Sequence, residues 1–330
     1  MSSSQTDIWT GRRTLGGVEV SALGFGCWTI GGPFSDTAGK PLGWGEVDDE
    51  ESIRAIHAAL DLGVTFFDTA DVYGAGHSEE VLGRALAGHR DEVVLASKWG
   101  NAFDPETRVL THHDASPEYL RRALRATLRR LGTDHLDLYQ LHGEPSLEEA
   151  ELLRATCEDL VAEGLIRGYG WSTSDPVRAA AFGAGAHGVA VQHELNVLHD
   201  APELLAVCDE YDLASVDNAP LAMGLLGRRT AATPIRGADV RTAAPQWLRF
   251  FDDGVPITEW ADRVAAVREI LTADGRTLAQ GALGWIWARS ERTIPIPGFR
   301  TVAQAEENAG ALARGPLRPE QLTEIAALLH

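Results

Sequence analysis

Two hydrophobic rhythms alternate along most of this chain. Short runs of β-branched and aromatic residues, bounded by turn residues, read as buried strands. They fall at 23–26, 63–68, 92–98, 136–142, 166–171, 189–192, 213–216 and 293–297. Between them lie segments with apolar residues three and four apart, which read as helices with one buried face. These cover 48–62, 78–86, 117–131, 147–162, a short stretch opened by Asp175-Pro176, 202–211, 258–272, 278–288 and 303–312. The helix at 117–131 carries its own boundaries: Ser116 as cap, Pro117 in the first turn, an early Glu118, and Gly132 beyond the last turn. A small hairpin at 13–20, turning at Gly16-Gly17, precedes the repeating part and would cap one end of it.

Eight strands, each followed by helix, demand a parallel sheet with right-handed crossovers. The expected fold class is therefore α/β: a (β/α)8 TIM barrel with an N-terminal β-hairpin cap, 1–330 forming a single domain. The second choice is an open doubly wound sheet, which usually carries GxGxxG after its first strand. Gly24-Phe25-Gly26-Cys27-Trp28-Thr29 lacks the third glycine. Residues 1–11 are expected to be poorly ordered, 29–47 to form a long loop, and 221–257 a longer one at the barrel rim.

Composition narrows the partners. The chain has 330 residues, 44% hydrophobic and 23% charged, with a formal net charge of −19. Such an acidic surface disfavours nucleic acid and anionic membranes. Cys27, Cys157 and Cys208 are widely spaced and form no CxxC, so neither a disulfide framework nor a structural zinc site is expected. The N-terminus has no basic, apolar leader pattern, and no apolar run is long enough to span a membrane. A cytoplasmic protein is the expectation, monomeric by default.

The polar residues at strand ends carry the chemistry. Val64-Thr65-Phe66-Phe67 turns polar at Asp68, and Tyr73 follows in the next loop. Lys98 ends the third strand and His142 the fourth. In a parallel barrel these groups converge at one rim, where active sites of this fold sit. Singly, each has an ordinary structural reading: a cap, a packed ring, a solvated lysine, a hydrogen-bonded histidine. Together they suggest proton donation by tyrosine. Lys98 would lower the phenol's pKa, Asp68 would hold Lys98, and His142 would orient a carbonyl oxygen. Carbonyl reduction by this set needs a hydride, which no side chain supplies.

The stretch Asp68-Thr69-Ala70-Asp71-Val72-Tyr73-Gly74, with Gly76-His77-Ser78-Glu79, Ala96-Ser97-Lys98-Trp99-Gly100 and Leu138-Tyr139-Gln140-Leu141-His142, resembles the aldo-keto reductases in the family's order. Gly43-Trp44-Gly45-Glu46-Val47-Asp48 resembles the bacterial branch that includes the inositol-cluster and general-stress reductases. The resemblance spans about 12–312. It implies a barrel, a catalytic tetrad of Asp68, Tyr73, Lys98 and His142, and an NADPH-dependent reduction of an aldehyde or ketone, such as a keto-sugar or polyol-related carbonyl.

It also implies a cofactor site. Gly168-Tyr169-Gly170-Trp171-Ser172-Thr173 matches the segment that reaches the nicotinamide amide, with Thr173 in place of the usual Asn. Gln192 would be the carboxamide partner, with Asp68 and Gly26 nearby. Pro220, Leu221, Ala222, Gly224 and Leu225 match the segment that wraps the pyrophosphate. Asn218 stands where the family commonly stacks a flat side chain on the nicotinamide, and Trp28 is the candidate to replace it. Pro297, Gly298, Arg300, Gln304, Glu307 and Asn308 match the adenosine-binding motif. Arg300 suits a 2′-phosphate, hence NADPH rather than NADH, while Gln304 replaces a second arginine of many relatives. Trp28, Trp44, Trp99 and the loop at 228–256 are the candidate substrate walls. Two rivals stand beside this reading. One is a metal-dependent hydrolase using His112, His113, Asp114 and His142, disfavoured because His112 and His113 are adjacent and in a loop; no metal is expected. The other is a non-catalytic NADP(H)-binding module resembling the channel β-subunits.

Overall fold

The structure, a computed structural model, describes residues 9–227, 235–243 and 248–329. A hairpin of β1 (Arg12–Leu15) and β2 (Val18–Ser21) leads into β3 (Gly24–Gly26), α1 (Asp49–Asp61), β4 (Phe66–Asp68), α2 (His77–Ala85) and β5 (Val94–Trp99). A second hairpin, β6 (Asn101–Asp104) and β7 (Val109–His113), precedes α3 (Pro117–Leu131), β8 (Leu136–Leu141), α4 (Leu147–Ala162), β9 (Ile166–Ser172), α5 (Pro176–Gly183), β10 (Gly188–Glu194), α6 (Pro202–Tyr211) and β11 (Ala214–Asn218). After the long loop come a two-residue hairpin, β12 (Phe251–Asp252) and β13 (Val255–Pro256), then α7 (Thr258–Leu271), α8 (Leu278–Trp287), β14 (Thr293–Pro295), α9 (Val302–Ala309) and α10 (Pro319–Leu329).

The main sheet has eight parallel strands in the order β14-β11-β10-β9-β8-β5-β4-β3. It closes on itself: Gly26 bridges Gly298 in parallel, and Gly26 N–H donates to Pro297 C=O at 3.2 Å. A Cβ at Gly26 would lie 2.7 Å from the Ile296 carbonyl oxygen, so this seam admits only glycine there. The seam gives Gly26 a packing role beside the cofactor role that the family resemblance implies. The expected barrel with its hairpin is what the chain forms.

Period-two alternation sorts the strand residues into a barrel interior and an outer layer facing the helices. The interior cluster takes Phe66 from β4, Ala96 from β5, Leu138 from β8, Ala190 from β10, Val216 from β11 and Ile294 from β14. Leu15 and Val20 of the hairpin join it, so the hairpin plugs the barrel's N-terminal end. Two residues further along four of these strands, the same face carries Asp68, Lys98, Gln140 and Gln192, all buried. A polar layer therefore sits directly above the apolar one.

Several elements differ from expectation. Residues 101–113, including His112 and His113, form an antiparallel hairpin rather than a loop. Helix α10 and the β12–β13 hairpin fall outside the expected set: the first lies beyond the strand–helix repeat, and the second is too short for periodicity to register. Of the terminal stretch expected to be poorly ordered, 1–8 lie outside the described residues. Trp9 is packed, with its ring 4.9 Å from that of Trp287 and its Nε1–H donating to Leu312 C=O at 2.8 Å. Within the rim loop, 228–234 and 244–247 also lie outside the described residues. Among the described residues no helix is long and apolar enough to cross a membrane.

Candidate active site

Asp68 ends β4, Lys98 is the penultimate residue of β5 and His142 follows β8 directly, all at the C-terminal rim. Lys98 is fully buried, where a lone ammonium would be untenable. Its Nζ donates to Asp68 Oδ1, to the Thr69 carbonyl at 2.8 Å and to the Tyr73 hydroxyl at 3.3 Å. The other Asp68 oxygen accepts from Gln140 Nε2 and Gln192 Nε2, each at 2.9 Å. Both charges of the pair are thus hydrogen-bonded, the condition under which a buried ion pair survives.

Tyr73 is held by its loop and by three neighbours. Gly74 has φ +63°, and a Cβ there would lie 1.8 Å from the Gly31 carbonyl oxygen, so only glycine lets these two loops touch. Ser78 Oγ, 2.9 Å from Thr69 Oγ1, donates to the Cys27 carbonyl at 2.7 Å and tethers the same turn to the end of β3. The Tyr73 ring stacks on Trp28 with centroids 5.8 Å apart, meets the edge of His142 at 6.1 Å, and has Lys98 Nζ 4.9 Å from its centroid.

Protonation follows from burial and charge. Burial raises the Tyr73 phenol above its ordinary value; Lys98 pulls it down, and Asp68 pushes back up. The expectation that Lys98 would leave a lowered phenol pKa is therefore overturned, because Asp68 cancels much of the ammonium's field and desolvation dominates. Burial alone would lower Lys98, but Asp68 and Tyr73 outweigh it and hold the ammonium above its usual pKa. Burial, then Lys98, then His113 depress His142 to about 3, so the imidazole is neutral at ordinary pH. His142 Nδ1 is buried with no partner among the described residues. The tautomer with its proton on Nε2 presents the ring's one N–H to a ligand.

The sequence-predicted cofactor residues fall in three places on the same rim. Ser172 ends β9 and Asn218 ends β11, both half-buried, while Thr173 is buried between the strands and donates its backbone N–H to Gln192 C=O at 2.9 Å. Gln192 spends its amide N–H on Asp68 and, at 3.3 Å, on Gln140. Pro220, Leu221, Ala222, Gly224 and Leu225 lie in a tight turn in which Ala219, Ala222 and Met223 have positive φ, an uncommon backbone for non-glycine residues. Asn196 Nδ2 and Arg241 Nη1 pin this turn through the carbonyls of Ala219 and Met223, both at 3.1 Å. Around the start of α9, Arg300 N–H donates to Gln304 Oε1 at 2.7 Å, Thr301 caps the helix, and Asn308 Nδ2 reaches Gly298 C=O at 3.4 Å. Pro297 lies in the seam, and Glu307 C=O accepts from Gln280 Nε2 at 3.1 Å.

Trp99 is not a pocket wall. It is fully buried on the outer face of β5, its ring 6.1 Å from Tyr139, because Lys98 takes the inward position and alternation sends Trp99 out. The apolar rim instead gathers Phe34, Val72, Trp28, Leu42, Tyr73, Phe103 and Leu110, bringing the 29–47 loop and the second hairpin together. Gln140 is the residue that the sequence reading passed over. Its signal was available: a polar side chain at the inward parity of an otherwise apolar strand. Among the described residues no group of three or more His, Cys, Asp or Glu could hold a metal ion; His112 and His113 are exposed on β7.

The sequence pattern described as "Aldo/keto reductase family" matches residues 22–330. The Schizosaccharomyces pombe protein "Aldo-keto reductase yakc [NADP(+)]" is 32% identical over 310 residues, covering 91% of this chain and 86% of that one. The solved glycerol dehydrogenase AKR11B4 from Gluconobacter oxydans superposes with a TM-score of 0.82 at 25% identity, over 98% of this chain and 96% of its own. A Klebsiella pneumoniae aldo-keto reductase, solved in complex with NADPH, gives 0.69 at 29% identity, over 96% and 94%.

Proposed function

The chain belongs to the aldo/keto reductase family, and from that premise we propose that it reduces an aldehyde or ketone to an alcohol, with NADPH as hydride source and Tyr73 as proton donor. The observation that carries this is the buried pair of Asp68 and Lys98 beneath Tyr73, in which one ammonium touches both the carboxylate and the phenol.

The protonation states suit the task. A phenol held above its ordinary pKa keeps its proton through the physiological range, so Tyr73 is loaded as an acid. As its proton leaves for the carbonyl oxygen, charge develops on the phenolate oxygen, and Lys98 Nζ already sits against that atom. Asp68 keeps Lys98 in place and charged. Neutral His142 donates to the same carbonyl oxygen and orients the substrate without competing as an acid. The bound dinucleotide would supply the hydride.

The residues present fit that dinucleotide. Ser172, Thr173 and Asn218 offer polar side chains at the ends of β9 and β11, and the pinned turn at 219–225, half-buried at Leu221 and Gly224, is the segment that would take a pyrophosphate. Arg300, at the start of α9, is the cation for a 2′-phosphate and the basis for NADPH over NADH. The relatives named for NADP(+) and solved with NADPH support this choice. A polyol-related or keto-sugar carbonyl is the favoured substrate class, supported by the similarity to a glycerol dehydrogenase and by the indole of Trp28 beside Tyr73.

The test is NADPH oxidation against a panel of aldehydes, ketones and keto-sugars, run with wild type and Tyr73→Phe. Turnover that disappears in Tyr73→Phe while NADPH binding persists supports the reading. NADPH binding without turnover on any panel member would favour the non-catalytic module instead.

A further inference from the structure

Arg300 is half-buried, and two of its guanidinium nitrogens are engaged by backbone carbonyls. Nη1 donates to the Trp44 carbonyl at 3.0 Å and Nη2 to the Glu46 carbonyl. These bonds cross from the end of the last barrel strand to the loop that follows the first. The same loop is gripped from its other side: Val240 N–H donates to Gly43 C=O at 2.7 Å, and Trp44 bridges Asp239. Arg241, paired bidentately with Asp239, lies 4.5 Å from the centroid of the Trp44 ring.

What the loop carries is the aromatic side of the site. The Trp44 ring meets Trp28 edge-on with centroids 5.4 Å apart, Trp28 Nε1–H donates to Leu42 C=O at 3.1 Å, and Trp28 stacks on Tyr73. A contiguous packed path therefore runs from the Arg300 guanidinium through the Trp44 backbone, the two indoles and the Tyr73 ring. Packed interiors transmit such displacements because their contacts leave little slack.

We propose that Arg300 is a positioning residue for the carbonyl side of the site: by holding the Trp44 and Glu46 carbonyls it fixes Trp44 against Trp28, and through Trp28 the ring of the proton donor. This rests on the reductase reading given above, and it gives Arg300 a second task beside the 2′-phosphate. The two tasks are compatible, since a guanidinium has five N–H donors and the loop uses two. They are also separable, because NADH has no 2′-phosphate for Arg300 to bind.

The experiment compares wild type and Arg300→Ala in two ways. The first is amide hydrogen exchange in the protein without added cofactor, read on peptides covering 41–47. The expected result is exchange faster by about tenfold or more, since charge-assisted hydrogen bonds to two carbonyls are lost. The second is carbonyl reduction driven by saturating NADH. Here kcat/KM for the carbonyl is expected to fall about tenfold as Tyr73 loses its alignment, while KM for NADH stays within about twofold. Unchanged exchange at 41–47, or unchanged carbonyl kcat/KM with NADH, overturns the proposal and leaves Arg300 as a phosphate reader alone. If Arg300→Ala does not fold, Arg300→Lys, which keeps the charge but has one donor nitrogen in place of the two that reach the two carbonyls, gives the same readings at smaller amplitude. If wild type reduces no carbonyl with either cofactor, the reductase reading fails separately. The exchange measurement then decides the clamp: faster exchange upholds it and unchanged exchange overturns it.

Discussion

Replacing Lys98 by methionine keeps most of the side chain's volume and removes its charge and donors. Three acceptors lose a partner: Asp68 Oδ1, the Thr69 carbonyl at 2.8 Å and the Tyr73 hydroxyl at 3.3 Å. The Tyr73 hydroxyl lies at the half-open rim and can turn to water. The Thr69 carbonyl is left unpaired in the interior, at a cost of about 1–3 kcal/mol. Asp68 keeps its two bonds from Gln140 and Gln192 but becomes a buried carboxylate with no countercharge, which brings the total to about 3–5 kcal/mol. Neutralising that carboxylate as well, in Lys98→Met with Asp68→Asn, removes the charge and leaves an amide oxygen that Gln140 and Gln192 can still reach. The double variant should therefore recover about 2 kcal/mol of the loss, with the Thr69 carbonyl and the new amide N–H groups that face the methionine accounting for what remains. Urea unfolding of wild type, both single variants and the double variant, followed by circular dichroism, measures the cycle. A Lys98→Met variant within about 1 kcal/mol of wild type, or a double variant no more stable than Lys98→Met alone, would refute the claim that this pair is a mutually dependent buried charge couple. The double variant should not regain the turnover lost in Lys98→Met, because the phenolate's partner, Lys98 Nζ, is missing from both.

Other outcomes follow from the same geometry. Tyr73→Phe removes one hydroxyl at the rim, so stability should be close to wild type while carbonyl turnover falls by about 10²-fold or more, checked by thermal melting beside steady-state rates. Because His142 titrates at about 3 and Tyr73 above its ordinary value, neither changes protonation between pH 5 and 9, and kcat for reduction should be level across that window; an inflection near pH 6.5 that is lost in His142→Gln would contradict this. His142 also has a depressed folded-state pKa, so the folded protein binds fewer protons than the unfolded chain between about 3 and 6.5. Its contribution to stability is complete above pH 6.5 and is lost as pH falls toward 3, and His142→Gln should flatten the acid limb of a stability–pH curve. Gly74→Ala puts a Cβ 1.8 Å from the Gly31 carbonyl at a positive φ, so it should cost more than about 2 kcal/mol and reduce turnover together with stability; a neutral effect in both assays would show that the two loops can part.

The local features of this fold are written in its sequence. Helix α3 begins and ends where Ser116, Pro117 and Gly132 say it should, since capping and backbone conformation are set by neighbours in the chain. The strand–helix alternation demands a parallel sheet, and right-handed crossovers leave few ways to arrange one. Asp68, Lys98 and His142 at successive strand ends follow from the same reasoning, because a polar residue closing an apolar strand has one rim to occupy. What the sequence could not decide depends on distances between segments far apart in the chain. The phenol's direction of shift turned on how burial and Asp68 together outweigh Lys98, a sum of opposing terms that residue identities leave open. That Gln140 and Gln192 share one Asp68 oxygen is decided only when three strands place their amides on it. Trp99 and Lys98 are adjacent in sequence, yet pleating sends one to the helices and the other to the site. Arg300 lies more than 250 residues from the loop it holds, so its grip on Trp44 and Glu46 exists only once the barrel has closed.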